Sequence, residues 1–187
     1  MANFTKQHIK ASFIKLLEEM PFNEISVKMI VENCGINRKS FYYHYQDIPA
    51  LFEEIIADST QRIIEQCKGF SSMEECLNLV VQYVLDNKKI ILHVYHSLRS
   101  DIYEKYLLKL CDNVVRRYIE SLIDGRPVSP EDREIIVTLY RGECFGMIMQ
   151  WLISGMKEDI AFSIHRVCVL RQGMINEVIE RSLNNAV

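Results

Sequence analysis

Apolar side chains recur at steps of three and four along almost the whole chain, and no stretch alternates apolar with polar over a strand's length. That periodicity confines the 187 residues to an all-α fold. Ile9, Phe13, Leu16 and Met20 mark a first helix that ends at Pro21. Ser26 is placed to cap a short second helix carrying Val27, Ile30, Val31 and Cys34. Gly35 follows, where a positive φ lets the chain turn sharply. Asn37 then caps a third helix running through Tyr43, and Asp47 a fourth with Pro49 in its first turn.

The remainder uses the same signals. Ser72 and Glu75 form a capping box opening a helix toward Leu85, and Asp101 with Glu104 resembles another. Gly125 and Pro127 break the chain, and Ser129 followed by Pro130, Glu131 and Asp132 restarts it. That helix is expected to run to about Ser154, with Gly155 ending it. A last helix is expected from about Asp159 to Arg181, with Ile164, Val167, Cys168, Ile175 and Val178 on one face. The expected architecture is therefore about nine helices. A three-helix head (residues 1–46) is joined by a linking helix to a helical effector-sensing and dimerisation body (residues 47–187).

With 49% hydrophobic and 25% charged residues, the chain can bury a sizeable core and does not have a disordered composition. A formal net charge of -3 argues against a uniformly basic nucleic-acid binder. The charge is uneven, however. Residues 1–46 hold six basic side chains against four acidic ones, so the acid excess lies wholly in the rest of the chain. A mildly basic head on an acidic body suits a protein that meets phosphate at one end. The six cysteines are scattered without a C-x-x-C pair and read as buried thiols of a cytoplasmic protein. No secretory pattern is expected, since Lys6 and Lys10 interrupt any early apolar run. The longest uncharged stretch, between Glu143 and Lys157, is shorter than the roughly 18 apolar residues a membrane span needs, so no membrane partner is expected.

Residues 27–44 carry the functional signal. A helix-turn-helix needs two short helices held at a steep angle by a small core, here Val27, Ile30, Cys34, Ile36 and Phe41 around Gly35. With Phe41 turned inward, Arg38, Lys39, Ser40, Tyr42 and Tyr43 are left to face outward, as types that bind base edges or phosphate oxygens. Spacing alone also allows a surface hairpin of a larger bundle. The run from Val27 to Tyr45, with its Gly35-Ile36 turn and its close Phe41-Tyr42-Tyr43-His44-Tyr45, resembles the DNA-binding signature of the TetR family. The likeness covers about residues 5–60. It implies that Ser26, Ser40, Tyr42 and His44 contact the DNA backbone, while Arg38, Lys39, Asn37 and Tyr43 approach base edges. Two positions depart from the family pattern. Val31 stands where Ala is usual, which would set the two helices slightly farther apart. Ile48 stands where a Lys is common, so one phosphate contact is lost and the log–log salt dependence of DNA binding should be shallower by about one unit. A salt titration against relatives that carry the lysine checks this.

The best signal for self-association is the segment holding Gly142, Gly146 and Trp151. Two glycines one turn apart each cost roughly 1 kcal/mol of helix propensity relative to Ala, which makes sense where another helix backbone comes close. Trp151 is read as an aromatic anchor, with Ile164, Val167, Cys168 and Ile175 completing a dimer interface. Packing within one chain is the competing reading. The family resemblance implies a homodimer whose last two helices pair. Such a dimer would place two recognition helices about 34 Å apart on a palindromic operator in double-stranded DNA.

An effector pocket is expected among the central helices, at His93, Tyr95, His96, Tyr103, Cys111, Tyr118 and Met147. His93 and His96 are three apart, but nothing at recognisable spacing completes a metal site, so neither metal nor cofactor is expected. The C-terminal half resembles a TetR subgroup that includes activators of dihydroxyacetone kinase operons, so the effector can be a small molecule or a partner protein. No phosphate-binding loop, nucleophile elbow, zinc-protease motif or dinucleotide fingerprint is present, so an enzyme is not expected. A repressor released by its effector is the leading expectation. An activator under a partner protein and an interaction module without specific DNA binding are the alternatives.

Overall fold

The computed structural model describes residues 2–69, 72–97 and 100–184. Among the described residues there are ten α-helices, one 3-10 turn and no strand. The helices are α1 (Ala2–Glu19), α2 (Val27–Cys34), α3 (Arg38–His44), α4 (Ile48–Cys67) and α5 (Met73–Asp86). They continue with α6 (Lys88–Tyr95), α7 (Ser100–Ile123), α8 (Pro130–Ile153), α9 (Ile160–Leu170) and α10 (Met174–Asn184).

The chain divides into two compact units. Unit 1 comprises residues 1–61 and 84–106, and unit 2 residues 62–83 and 107–187. The boundary expected after residue 46 thus marks the end of the helix-turn-helix rather than of the compact unit. The first part of α4 and all of α6 belong with α1–α3.

Unit 1 is built on α1. Ile9, Phe13, Leu16 and Leu17 are buried at helical spacing, and Phe13, Phe22 and Phe52 form an edge-to-face aromatic cluster with centroids 5.3–6.3 Å apart. Ser12 Oγ donates to the Ile30 carbonyl at 3.0 Å, tying α1 to α2. Lys10, only 8% exposed, lies between Glu54 and Asp58 of α4, at 2.6 Å from each. That cation is spent on α4, so one of the head's six lysines and arginines is unavailable to phosphate.

His93, expected at a pocket, does something else. Its Nδ1 lies 2.7 Å from the Leu17 carbonyl. That carbonyl would ordinarily accept from the N–H four residues on, but residue 21 is proline and has none. The imidazole of α6 therefore satisfies an acceptor that the end of α1 leaves open. His93→Leu should destabilise unit 1 by about 1–3 kcal/mol, read as a lowered denaturation midpoint. An unchanged midpoint would show that water replaces the imidazole without cost.

Unit 2 packs the buried faces of α5, α7, α8, α9 and α10. Val80, Val115, Ile119, Val137, Ile148, Leu152, Ile164 and Ile179 are each 3% exposed or less. Arg126 closes α7 by donating to the carbonyls of Ile123 and Leu122, and it pairs with Glu180 of α10. The single last helix expected from Asp159 to Arg181 is in fact two. Gly173, with φ +84°, breaks it between α9 and α10. The apolar spacing continues across the break and hides it. α7 starts at Ser100, so the Asp101 carboxylate lies in its first turn, where a negative charge suits the helix dipole. Asp159 does cap α9, accepting from the Phe162 N–H at 3.0 Å.

Candidate functional site

The helix-turn-helix forms as its caps dictate. Ser26 Oγ accepts from the Met29 N–H at 3.3 Å, and Asn37 Oδ1 accepts from the Ser40 N–H at 2.8 Å. Between them Gly35 takes φ +69°, and its N–H returns to the Val31 carbonyl. Ile30, Val31 and Phe41 form the core of the motif. Val27, Cys34 and Ile36, expected in that core, are only half-buried because they sit at its edge. Val31 is buried where the sequence suggested it would spread the helices.

Phe41 is fully buried from α3, with Tyr45 at 6.0 Å behind it. The opposite face of α3 carries Arg38, Lys39, Tyr42 and Tyr43 outward, with Tyr42 57% and Tyr43 79% exposed. Large aromatics at such exposure need a reason, and here they flank two cations. His44 is half-buried beside Tyr43, their rings 5.0 Å apart. Asn37 and Ser40 serve the helix first: Ser40 donates both N–H and Oγ–H to Asn37 Oδ1. The Asn37 carbonyl oxygen is thereby committed to the cap, which leaves its amide N–H groups and the Ser40 hydroxyl oxygen for other contacts.

Unit 2 holds a partly open cavity of about 290 Å³ between α5, α7, α8, α9 and the start of α10. Of the seven expected pocket residues, Tyr118 and Met147 line it. His93, Tyr95, His96 and Tyr103 belong to unit 1 instead, and Cys111 is buried core at 2% exposure. The sequence missed the charged members of the wall. Arg171 pairs with Glu143 and stacks on the Tyr140 ring, 4.3 Å from its centroid, and Glu74 meets His165 Nδ1 at 3.0 Å. Burial and the nearby Glu74 carboxylate push the Cys168 thiol up, and burial pushes Cys144 up to about 12. Both thiols line the cavity as neutral, soft groups. No group of three or more candidate metal ligands occurs among the described residues.

The expected dimer residues separate. Trp151 is 2% exposed within its own chain, and its Nε1–H donates to the Glu158 carbonyl at 3.0 Å. It anchors the α8–α9 turn and has no surface left for a partner. Ile164 and Ile175 are likewise buried, and Val167 and Cys168 line the cavity. Gly142 and Gly146 are exposed, and a Cβ built on either meets nothing within 4 Å. No close approach within the chain explains them. They continue a stripe on α8 made by Ile135, Leu139 and Ile153, each more than half exposed. On α9, Phe162 and Leu170 are as exposed. The i, i+4, i+7, i+11 spacing of positions 135, 139, 142 and 146 was there to be read.

Residues 14–55 match the sequence pattern of the bacterial regulatory proteins of the tetR family, and residues 71–173 match that of a transcriptional regulator C-terminal region of the same kind. The chain belongs to the TetR family. It is a DNA-binding transcriptional regulator with an N-terminal helix-turn-helix. Its fold is similar to that of the dihydroxyacetone kinase operon activator DhaS, with TM-score 0.71 and 18% identity over 92% of this chain and 96% of that one. It is also similar to the transcriptional regulator FadR from Bacillus subtilis, solved in complex with stearoyl-CoA. There the TM-score is 0.51 and the identity 16%, over 97% and 99% of the two chains. At such identities the likeness establishes the TetR fold alone. No curated protein matches the sequence. No helix of the described residues is long and apolar enough to cross a membrane.

Proposed function

We propose that this TetR-family regulator works in the cytoplasm as a homodimer, represses from a palindromic operator, and releases it when an effector fills the unit 2 cavity. The observation that carries the DNA-reading part is the outward face of α3. There Arg38 and Lys39 stand beside two exposed tyrosines on a helix whose other face is locked by Phe41. Arg and Lys suit guanine edges, and tyrosine hydroxyls suit phosphate oxygens.

The dimer is supported by the exposed apolar stripe of α8 with its two glycines, and by Phe162 and Leu170 on α9. Linking two weak heads gains affinity because the second binding event becomes intramolecular. For the response, the chain itself offers a route: α4 is one continuous helix that contributes residues to both units. An effector that favours one position of its unit 2 end shifts the population of head arrangements, and operator affinity changes by the same coupling.

Selection of bound sites from a random DNA library, at a stated salt concentration, tests this reading. Enrichment of a two-fold symmetric site with half-sites about one helical turn apart is the expected result. Salt-sensitive binding without any enriched sequence would reject it in favour of an interaction module. One observation favours a second reading. The DhaS structure is named as an operon activator, so an activating role under a partner protein stands beside repression. Reporter output from the selected site, with and without the protein, separates the two by sign.

A further inference from the structure

Resting on the reading of the unit 2 cavity as the effector site, we infer that its ligand is an organic monocation: a protonated amine on a compact apolar or aromatic body, with Glu74 as its counter-ion. Three charged side chains face the cavity, two carboxylates and one guanidinium. The guanidinium of Arg171 is already engaged by the Glu143 carboxylate on one side and by the Tyr140 ring on the other. Glu74 has the His165 imidazole beside it, Nδ1 at 3.0 Å, and no lysine or arginine partner among the described residues. The half-buried charge left to be compensated is therefore negative, and the complementary ligand is positive.

The rest of the wall describes the ligand's body. Leu77, Ile164 and Val167 are aliphatic, Met147 is a polarisable thioether, and Tyr118 adds an aromatic ring of the kind that attracts a cation. A volume of about 290 Å³ lies at the small end of ligand pockets, so the body is one or two rings or a short alkyl group. The same facts disfavour a coenzyme A thioester like that bound by FadR. Its several anionic phosphates would meet a lining with more carboxylates than guanidinium groups.

Calorimetric titration of the full-length protein with phenethylamine, phenethyl alcohol and phenylacetate tests the inference, because the three differ chiefly in the charge of one end. The amine should bind roughly tenfold or more tighter than either analogue, since a charge-assisted hydrogen bond to a half-buried carboxylate is worth about that ratio. Glu74→Gln, which keeps the shape, should erase the preference. Glu143→Gln, which frees the Arg171 guanidinium, should improve phenylacetate binding. A preference for phenylacetate in the natural protein, or an amine preference that survives Glu74→Gln, overturns the inference. So does failure of all three to bind at millimolar concentration. The effector-site reading is judged separately by Val167→Trp, which fills the cavity without any ligand. A helical, folded Val167→Trp variant whose operator affinity is unchanged would remove that reading as well.

Discussion

Arg38→Ala combined with Lys39→Ala should abolish sequence-specific DNA binding while leaving the head folded. Both side chains are exposed on α3, outside its buried face, and neither caps a helix. Removing two base contacts at about 1–3 kcal/mol each weakens the complex by roughly 30-fold to 20,000-fold. Anisotropy titration against the selected operator and a scrambled duplex at one salt concentration measures the loss. The ratio between the two duplexes should collapse toward unity while circular dichroism is unchanged. Asn37→Ala makes the contrast. Because Asn37 Oδ1 holds the Ser40 N–H, that variant should cost about 1 kcal/mol of stability and weaken both duplexes together. If Arg38 and Lys39 prove dispensable for the ratio, α3 is not the reading helix.

The second large effect separates two residues of α8 that the sequence had grouped. Trp151→Ala should destabilise unit 2 by about 3–5 kcal/mol. It empties a site where the indole is fully packed, and it leaves the Glu158 carbonyl without its donor. Gly146→Leu should leave the folded chain intact, because its new side chain meets nothing within 4 Å of the Cβ position in the same chain. It should instead dissociate the proposed dimer. Sedimentation velocity reads the second effect directly, and chemical denaturation reads the first. A dimer's midpoint rises with protein concentration, and that dependence should vanish in Gly146→Leu and persist in Trp151→Ala. A Gly146→Leu chain that still sediments as a dimer would place the interface elsewhere than the α8 stripe.

Ser26, Asn37, Asp47, Ser72 and Ser129 each cap the helix assigned to them, because a cap is a contact three residues long and its chemistry lies in adjacent letters. The positive φ of Gly35 and the inward turn of Phe41 are local in the same sense, so the helix-turn-helix and its outward face could be read directly. The break at Gly173 is masked in the sequence because the apolar period continues on both sides of it.

Contacts between distant residues left no such trace. His93 meets a carbonyl orphaned by a proline more than seventy positions earlier. Trp151 is anchored by a turn rather than by a partner, and Arg171 reaches Glu143 and Tyr140 across two helices. Periodicity names the buried face of a helix but not what buries it, so Trp151 and Ile164 read equally well as core or interface until neighbouring helices were seen to cover them. Class, caps, turn and the outward face of α3 are properties of short windows, and the amino-acid order suffices for them. The cavity, its charge and the choice between core and interface are sums over helices far apart in the chain, and only packing brings those terms together.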